Sequence, residues 1–594
     1  MTTFRISILV SLAFLTGFSA FSQPVKVRVD ASTTVRPIHP LFYGVNTARW
    51  DESLFPGPTT EMLLTCDRDA IAKIKASGMK LLKYPGGNDA DHYTWNSAAN
   101  DASEMDTDEY LLLCREVGAE PFITVNFNES PELAAEWVRY CKDVRGYPVK
   151  YWEVGDEQWG SWAKGHSTPE DYAKKYISFV KAMKAVDPTI KVATNVALTG
   201  ASPSLGSKSE GWTARVLKAA GNYVDMLTIT FYPQQWGKEN DDTLLASVKT
   251  YRELFLALRR EVERVVGKEK ADAMLFINVG YNSVNHSGGP QTLEVVNALW
   301  VADMVGTMAE VGTDLQVFWA VHNYYPPRKG DFGYLSSEGS NTPSYTYYVF
   351  PIFAEHFGKE VVASTSGDRS VAVHAVRDGK VLSVFLVNRD KNFPRDVAVE
   401  LNKFAPRPTA KVWVLDEKRK YERMADITTV KEGFTLTLPP YSLVAVECLS
   451  QDSVMLPVNI APMAIASASS YSTIGAHFQP ASATDGKVYT KWNSAAWTKS
   501  AGEEQQWFQL TWPTAQRYSS VRITWGDTYA TQFVLEVSDE GTQWKPIKDV
   551  TDCKGGVVEY TFPRTTSTCL RMNGKRGAKG ISAYSIREIE VLDK

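Results

Sequence analysis

Cysteine is scarce in this sequence. Cys66, Cys114, Cys141, Cys448, Cys553 and Cys569 are the only six in 594 residues. No two form a CxxC pair and none has a histidine at metal-ligand spacing, so a cysteine-built metal or redox motif is excluded. Cys114 and Cys141 fall in expected helices and read as small core residues. Cys553 and Cys569 flank an expected hairpin, where export would allow a disulfide between them. Charge of one sign is also missing. A net charge of −4 over this length supports neither a nucleic-acid partner nor an anionic membrane surface. There is no internal repeat and no low-complexity tract. Beyond the first segment, no apolar run is long enough to span a bilayer.

What is present begins with MTTFRISILVSLAFLTGFSAFSQ. Arg5 precedes the apolar run Ile6 to Phe18, and Ala20 and Ser22 place small residues before a cut at Gln23. This pattern predicts a signal peptide over residues 1–22 and a secreted or periplasmic protein. No cysteine follows the run, which argues against a lipid anchor. The chain is too long for one core and predicts three or four domains. With 17 tryptophans it is rich in rings that serve both cores and sugar-binding surfaces.

From Val25 to His356, short β-rich runs alternate with amphipathic helices. The runs HPLFYGVN, KLLKYPGG, EPFITVN, VKYWEVGDE, KVATNV, DMLTITFYP, AMLFINVGY and LQVFWAVHN number eight. Ser130–Pro131 and Thr168–Pro169 begin helices as N-cap followed by first-turn proline. Eight such units predict a (β/α)8 TIM barrel over residues 23–356. A doubly wound sheet would carry a glycine-rich phosphate turn after its first strand, and none is there. Residues 357–449 alternate with period two and predict an antiparallel β-sandwich, to which VKVRVDAS near the N-terminus adds a candidate strand. Residues 450–462 read as a linker. Residues 463–594 are again all-β.

The active site of a barrel lies at the C-terminal ends of its strands. Those ends read KYPGGNDADHYTW, Asn126, GDEQWG, TFYPQQW, VGYNSVNH and WAVHNYYP. The inventory is carboxylates, amides and rings. It lacks the cationic clamp of a phosphate site and the histidine cage of a metal site, so no cofactor is expected for the barrel. Carboxylates for proton transfer, amides for hydroxyls and rings for stacking suit a sugar. The candidate partner is a polysaccharide or oligosaccharide.

YPGGNDADHYTW, YWEVGDEQWG, TFYP and GYNSVN resemble the α-L-arabinofuranosidase type of retaining glycoside hydrolase, over roughly Val25 to Leu449. The resemblance implies Glu157 as acid/base. It places the nucleophile position on Gly280, a residue with no side chain. It further implies substrate contacts from Asn88, Asp89, Asn126, Trp159, Tyr232, Tyr281, Asn282, Trp319 and His322. Asp156 stands where that family has asparagine, Thr230 where it has histidine, and Lys83 where it has arginine. Double displacement needs two carboxylates about 5 Å apart, one attacking the sugar. Glycine cannot attack. Single displacement uses a carboxylate about 6.5–9.5 Å away with water between. Asp156 is the first candidate base, then Asp89; Asp91 and Glu129 are further acids on the rim. Two readings stand: an arabinofuranosidase-like hydrolase of plant or algal glycans, inverting for want of the nucleophile, or a glycan-binding pseudoenzyme. Elimination on a uronate would need a neutralising cation, for which Lys83 is the nearest candidate.

ASATDGKVYTKWNS, QQWFQLTW and VSDEGTQW resemble the discoidin or coagulation-factor type C fold of family 32 carbohydrate-binding modules. Trp492, Trp507 and Trp544 are expected in its core. Tyr471, His477, Trp497 and Tyr584 are expected on ligand loops. The resemblance implies a structural calcium near Asp485, Thr490 and Glu588, with Lys487 as an opposing cation in the loop.

Overall fold

The computed structural model describes residues 23–51, 54, 67–101, 104–198, 211–325, 329–337, 340–452, 459–473, 478–486, 490–497, 505–578, 580 and 582–593. The expected signal peptide, Cys66, His477 and Lys487 lie outside them. The chain divides into two compact units, 1–453 and 454–594.

In the first unit, eight parallel strands close a barrel in sequence order: β1 (Tyr43–Asn46), β2 (Leu81–Tyr84), β3 (Glu120–Val125), β4 (Tyr151–Val154), β5 (Lys191–Asn195), β6 (Met226–Phe231), β7 (Leu275–Tyr281) and β8 (Leu315–Phe318). All eight expected runs supply a strand. Leu81, Phe122, Tyr151, Ala193, Met226, Ile277, Leu315 and Val317 fill the interior as a packed core. The expected helix starts are present. Ser130 accepts the Leu133 amide and Thr168 the Asp171 amide, each with proline in the first turn.

The N-terminal strand Val25–Pro37 does not belong to the barrel, so the expected boundary at residue 23 is corrected. This strand pairs antiparallel with Glu360–Ser366 and parallel with Arg395–Asn402. With it, nine strands make up the expected β-sandwich, and their pairing runs unbroken around it as a closed ring. Alternation predicts the strands of this domain but carries no information about which edges meet.

Helix Val295–Val311 packs against the barrel on one side and against the strands Val371–Asp378, Val381–Asn388 and Ser442–Leu449 on the other. Only Val295 and Glu310 among its residues are not fully buried. Asp303, Gly306 and Glu310 lie along one face at helical spacing. His374 of strand Val371–Asp378 sits against that face. Its Nε2 is 3.0 Å from Asp303 and its Nδ1 is 2.6 Å from Glu310. A β-carbon at Gly306 would stand 2.1 Å from the ring, so glycine makes the space the imidazole occupies. Arg389 pairs with Asp303, and Arg252 with Glu310.

The second unit is a seven-stranded antiparallel assembly dominated by the long strands Trp507–Trp525 and Val557–Gly577. Trp492 is fully buried, as expected. Trp507 and Trp544 are only half-buried, and their expected core places are taken by Phe508, Leu510, Trp512 and Trp525. Strand parity explains the correction, since side chains at 508, 510 and 512 share one face and 507 takes the other. Trp544 instead lies under the Arg571 guanidinium at 3.9 Å. Of the expected ligand-loop residues, Tyr471 is exposed, whereas Trp497 and Tyr584 are buried against each other. Cys553 and Cys569 are separate buried thiols, which corrects the expected disulfide. Cys569 is in register with Ser538 and Thr511 inside the sheet.

Candidate active site

A cavity of about 500 Å³ opens at the C-terminal ends of the barrel strands. Strand β4 ends at Val154, and the chain then turns sharply. Gly155 and Glu157 both have positive φ, 68° and 49°. A β-carbon at Gly155 would stand 2.8 Å from Gln158 and 2.9 Å from Phe127, so this position requires glycine. Because the strand has already ended, its alternation no longer applies. Asp156 and Glu157, adjacent in sequence, both line the cavity. The left-handed φ of Glu157 is the kind of backbone cost found at functional sites.

The two carboxyls have different surroundings. Glu157 accepts from Thr230 Oγ1 at 2.5 Å and from Trp162 Nε1 at 2.9 Å. Burial and the charge of Asp156 nevertheless push its pKa up to about 7. Asp156 accepts from Asn88 Nδ2 at 2.6 Å and lies 3.4 Å from Lys83 Nζ. The Lys83 ammonium is fully buried and also pairs with Glu153 at 3.1 Å. Lys83 therefore faces two carboxylates and is no free cation for a uronate.

Asp91 ties the loop together from behind. It accepts the Phe127 and Asp156 amides at 2.8 and 2.9 Å and the Gln158 side chain at 2.7 Å. Burial raises its pKa to about 7 despite these bonds. Asp91→Ala leaves three buried donors without their acceptor. The expected result is a loss of about 3 kcal/mol, read by denaturant melting, with a disordered GDEQ turn.

Gly280 lies in strand β7 with ordinary extended backbone, so no left-handed conformation demands glycine there. The pairing of β6 with β7 slips between Ile229 and Thr230, setting Gly280 opposite Thr230. A β-carbon at Gly280 would stand 2.9 Å from the Tyr232 hydroxyl. The space that a glycine leaves here is thus shared with a phenol.

Among the expected substrate contacts, Asn88, Trp159, Tyr232 and Trp319 line the cavity. The other five do not. Asp89 is paired with Arg49 at 2.5 Å. Asn126 bonds the Tyr93 carbonyl and the Asn128 amide. Tyr281 is buried in the wall and donates to Gln316. Asn282 holds the carbonyls of Trp319 and Phe332. His322 is enclosed between Asp51, 2.9 Å away, and Asn341. Burial opposes its charge, but Asp51 outweighs burial and raises its pKa. Glu129 accepts from Thr94 and lies outside the cavity. Trp162, Asn285, His286 and Asn323 line the cavity unforeseen. Asn285, His286 and Asn323 lie in the strand ends VGYNSVNH and WAVHNYYP, and Trp162 is the second tryptophan of the WGSW stretch that follows Glu157.

Residues 465–589 match the model of the F5/8 type C domain. The second unit is an F5/8 type C fold. The chain is also similar to alpha-L-arabinofuranosidase C of Emericella nidulans, 29% identical over 157 residues, covering 21% of this chain and 31% of that one. It is 23% identical over 340 residues to the intracellular exo-alpha-(1->5)-L-arabinofuranosidase of Acetivibrio thermocellus, covering 48% of this chain and 66% of that one. The chain spans less than half the length of the Aspergillus relatives it matches. Among solved structures, the alpha-L-arabinofuranosidase of Thermotoga maritima in its arabinose complex aligns with a TM-score of 0.60 at 21% identity, over 71% of this chain and 99% of that one. The likeness read from the motifs, an arabinofuranosidase-type barrel with a discoidin-type domain, is what these comparisons return. Among the described residues, no helix is long and apolar enough to cross a membrane.

Proposed function

We propose that the chain is a secreted glycoside hydrolase of arabinofuranosidase-like type that cleaves O-glycosyl bonds in a plant or algal polysaccharide by single displacement. Glu157 is the general acid and Asp156 the base. The observation that carries this reading is the pair itself: two carboxyls on one sugar-sized cavity, with Glu157 raised to about 7 and Asp156 held by Asn88 and Lys83. Unlike environments for two neighbouring carboxyls are how acid and base roles are divided. Gly280 excludes attack by a side chain at that position, so the attacking group is water. Trp159 and Trp319 offer faces for the sugar ring.

The F5/8 type C unit would hold the enzyme on its polymer and raise its local concentration there. Asp485 and Glu588 would be the carboxylate ligands of a calcium ion at its Asp-Gly turn. This is supported by Glu588 Oε2, which is buried with no hydrogen-bond partner, and by the pKa of Glu588, which burial and then Asp485 raise to about 7. Thr490 donates to Asp485 and fixes that carboxylate.

One observation favours a second reading, a glycan-binding barrel without catalysis: the Tyr232 hydroxyl occupies space beside the missing nucleophile. Incubation with arabinose-, galactose- and xylose-containing glycans separates the two. The hydrolase reading expects release of reducing sugar, lost in Asp156→Asn. Heat of binding in calorimetry with no release from any glycan would carry the second reading instead.

A further inference from the structure

The geometry points to the Tyr232 hydroxyl as the second holder of the attacking water, doing from strand β6 what no side chain can do from Gly280. This assignment rests on the single-displacement reading above.

Three observations converge on it. The hydroxyl comes within 2.9 Å of where a side chain at position 280 would begin, and the backbone there would accept any residue. Tyr232 lines the same cavity as Asp156 and Glu157. Among the described residues its hydroxyl has no hydrogen-bond partner, although most of the ring is covered. A phenol that reaches into a polar cavity without a partner is poised for a solvent or substrate oxygen.

The phenol is suited to holding water rather than attacking. Burial first, and then the charges of Glu157 and Asp156, raise its pKa well above the usual value. It therefore stays a neutral hydroxyl that can both accept and donate. In the step, a water lone pair forms the new bond to the anomeric carbon. One water proton goes to the Asp156 carboxylate, and the other is hydrogen-bonded to the Tyr232 oxygen. The bond to the leaving oxygen breaks, and that oxygen takes the proton of Glu157. No oxidant or further reactant enters. Solvent later returns the proton from Asp156 to Glu157.

The test is steady-state kinetics of the full chain on a panel of 4-nitrophenyl furanosides and pyranosides, with product configuration read by proton NMR. Tyr232→Phe is expected to lower kcat by about 10²-fold with KM within about threefold, the pattern of an interaction made at the transition state. The product configuration is expected to stay the same. Gly280→Ala serves as a second variant should the phenylalanine protein fail to fold. Its methyl group would push the hydroxyl aside, and kcat is expected to fall about tenfold or more with the melting temperature held. Wild-type release that Tyr232→Phe leaves within about twofold overturns the assignment alone. A covalent glycosyl adduct on Tyr232, trapped with a 2-fluoro glycoside, also overturns it. No release by the wild-type protein overturns the hydrolase reading and the assignment with it. Release that Glu157→Gln does not affect removes the acid and leaves Tyr232 no step to serve.

Discussion

Glu157→Gln is expected to lower kcat by about 10³-fold on substrates with poor leaving groups, roughly 4 kcal/mol of transition-state stabilisation. Glutamine keeps the shape and can still meet Thr230 and Trp162, so the loss isolates proton donation. The loss should shrink on aryl glycosides, whose leaving oxygen needs little protonation. The pH profile follows from the same group. Glu157 acts only when protonated, and burial and Asp156 set its pKa at about 7. Activity is therefore present below about 7 and falls as pH rises through that value, about tenfold per unit. The variant should lack that limb. A variant that keeps both rate and limb would show that the acid lies elsewhere.

Breaking the cluster at His374 is expected to have the largest effect on stability. The imidazole is buried, and burial alone would strip its charge. Glu310 and Asp303 outweigh that and raise its pKa to about 9. Removing one partner of a buried ionic cluster costs about 3–5 kcal/mol. His374→Ala adds a cavity beside Gly306 and leaves Asp303 and Glu310 with only their arginines. For a unit of this size, that corresponds to a fall of about 3–5 °C in melting temperature. The sign of the pH dependence is fixed. A pKa raised by folding gives stabilisation fully present below the unfolded value of about 6.5, lost as pH rises through about 9. Asp303 works in the opposite direction. Arg389 and His374 overcome burial and lower it to about 2, so its contribution is present above its unfolded value and lost as pH falls through about 2. The difference in melting temperature between wild type and His374→Ala should therefore shrink above pH 9. Equal differences at pH 7 and pH 10 would show that His374 matters only as packing.

The barrel was legible because its signals are local. Eight apolar runs separated by capped helices leave few other topologies. Glu157 was legible through the residues around it, GDEQWG. The features that escaped depend on pairs distant in sequence. His374 and Asp303 are 71 residues apart and meet only because a barrel helix packs on the nine-stranded ring of the same unit. The alternation of VKVRVDAS places the N-terminal strand with the domain after the barrel, but not on the edges it joins, Glu360–Ser366 and Arg395–Asn402, which lie far along the chain. Asn282 and His322 look like sugar ligands in any list of polar residues at strand ends. Loop closure instead spends them on Trp319 and Phe332 carbonyls and on Asp51. Trp507 failed for a plainer reason, since parity in WFQLTW already places 508, 510 and 512 on one face. Tyr232 was named as a substrate contact, but its approach to Gly280 needs the β6–β7 slip, which no residue letter announces.

The measurement that bears most directly on the account is proton NMR of the first sugar released from the glycan panel, followed before mutarotation. Single displacement by water, with Glu157 and Asp156 as acid and base, predicts that the released sugar appears with inverted anomeric configuration. Sugar released with its configuration retained would contradict the account, because it would require a nucleophile that Gly280 cannot supply.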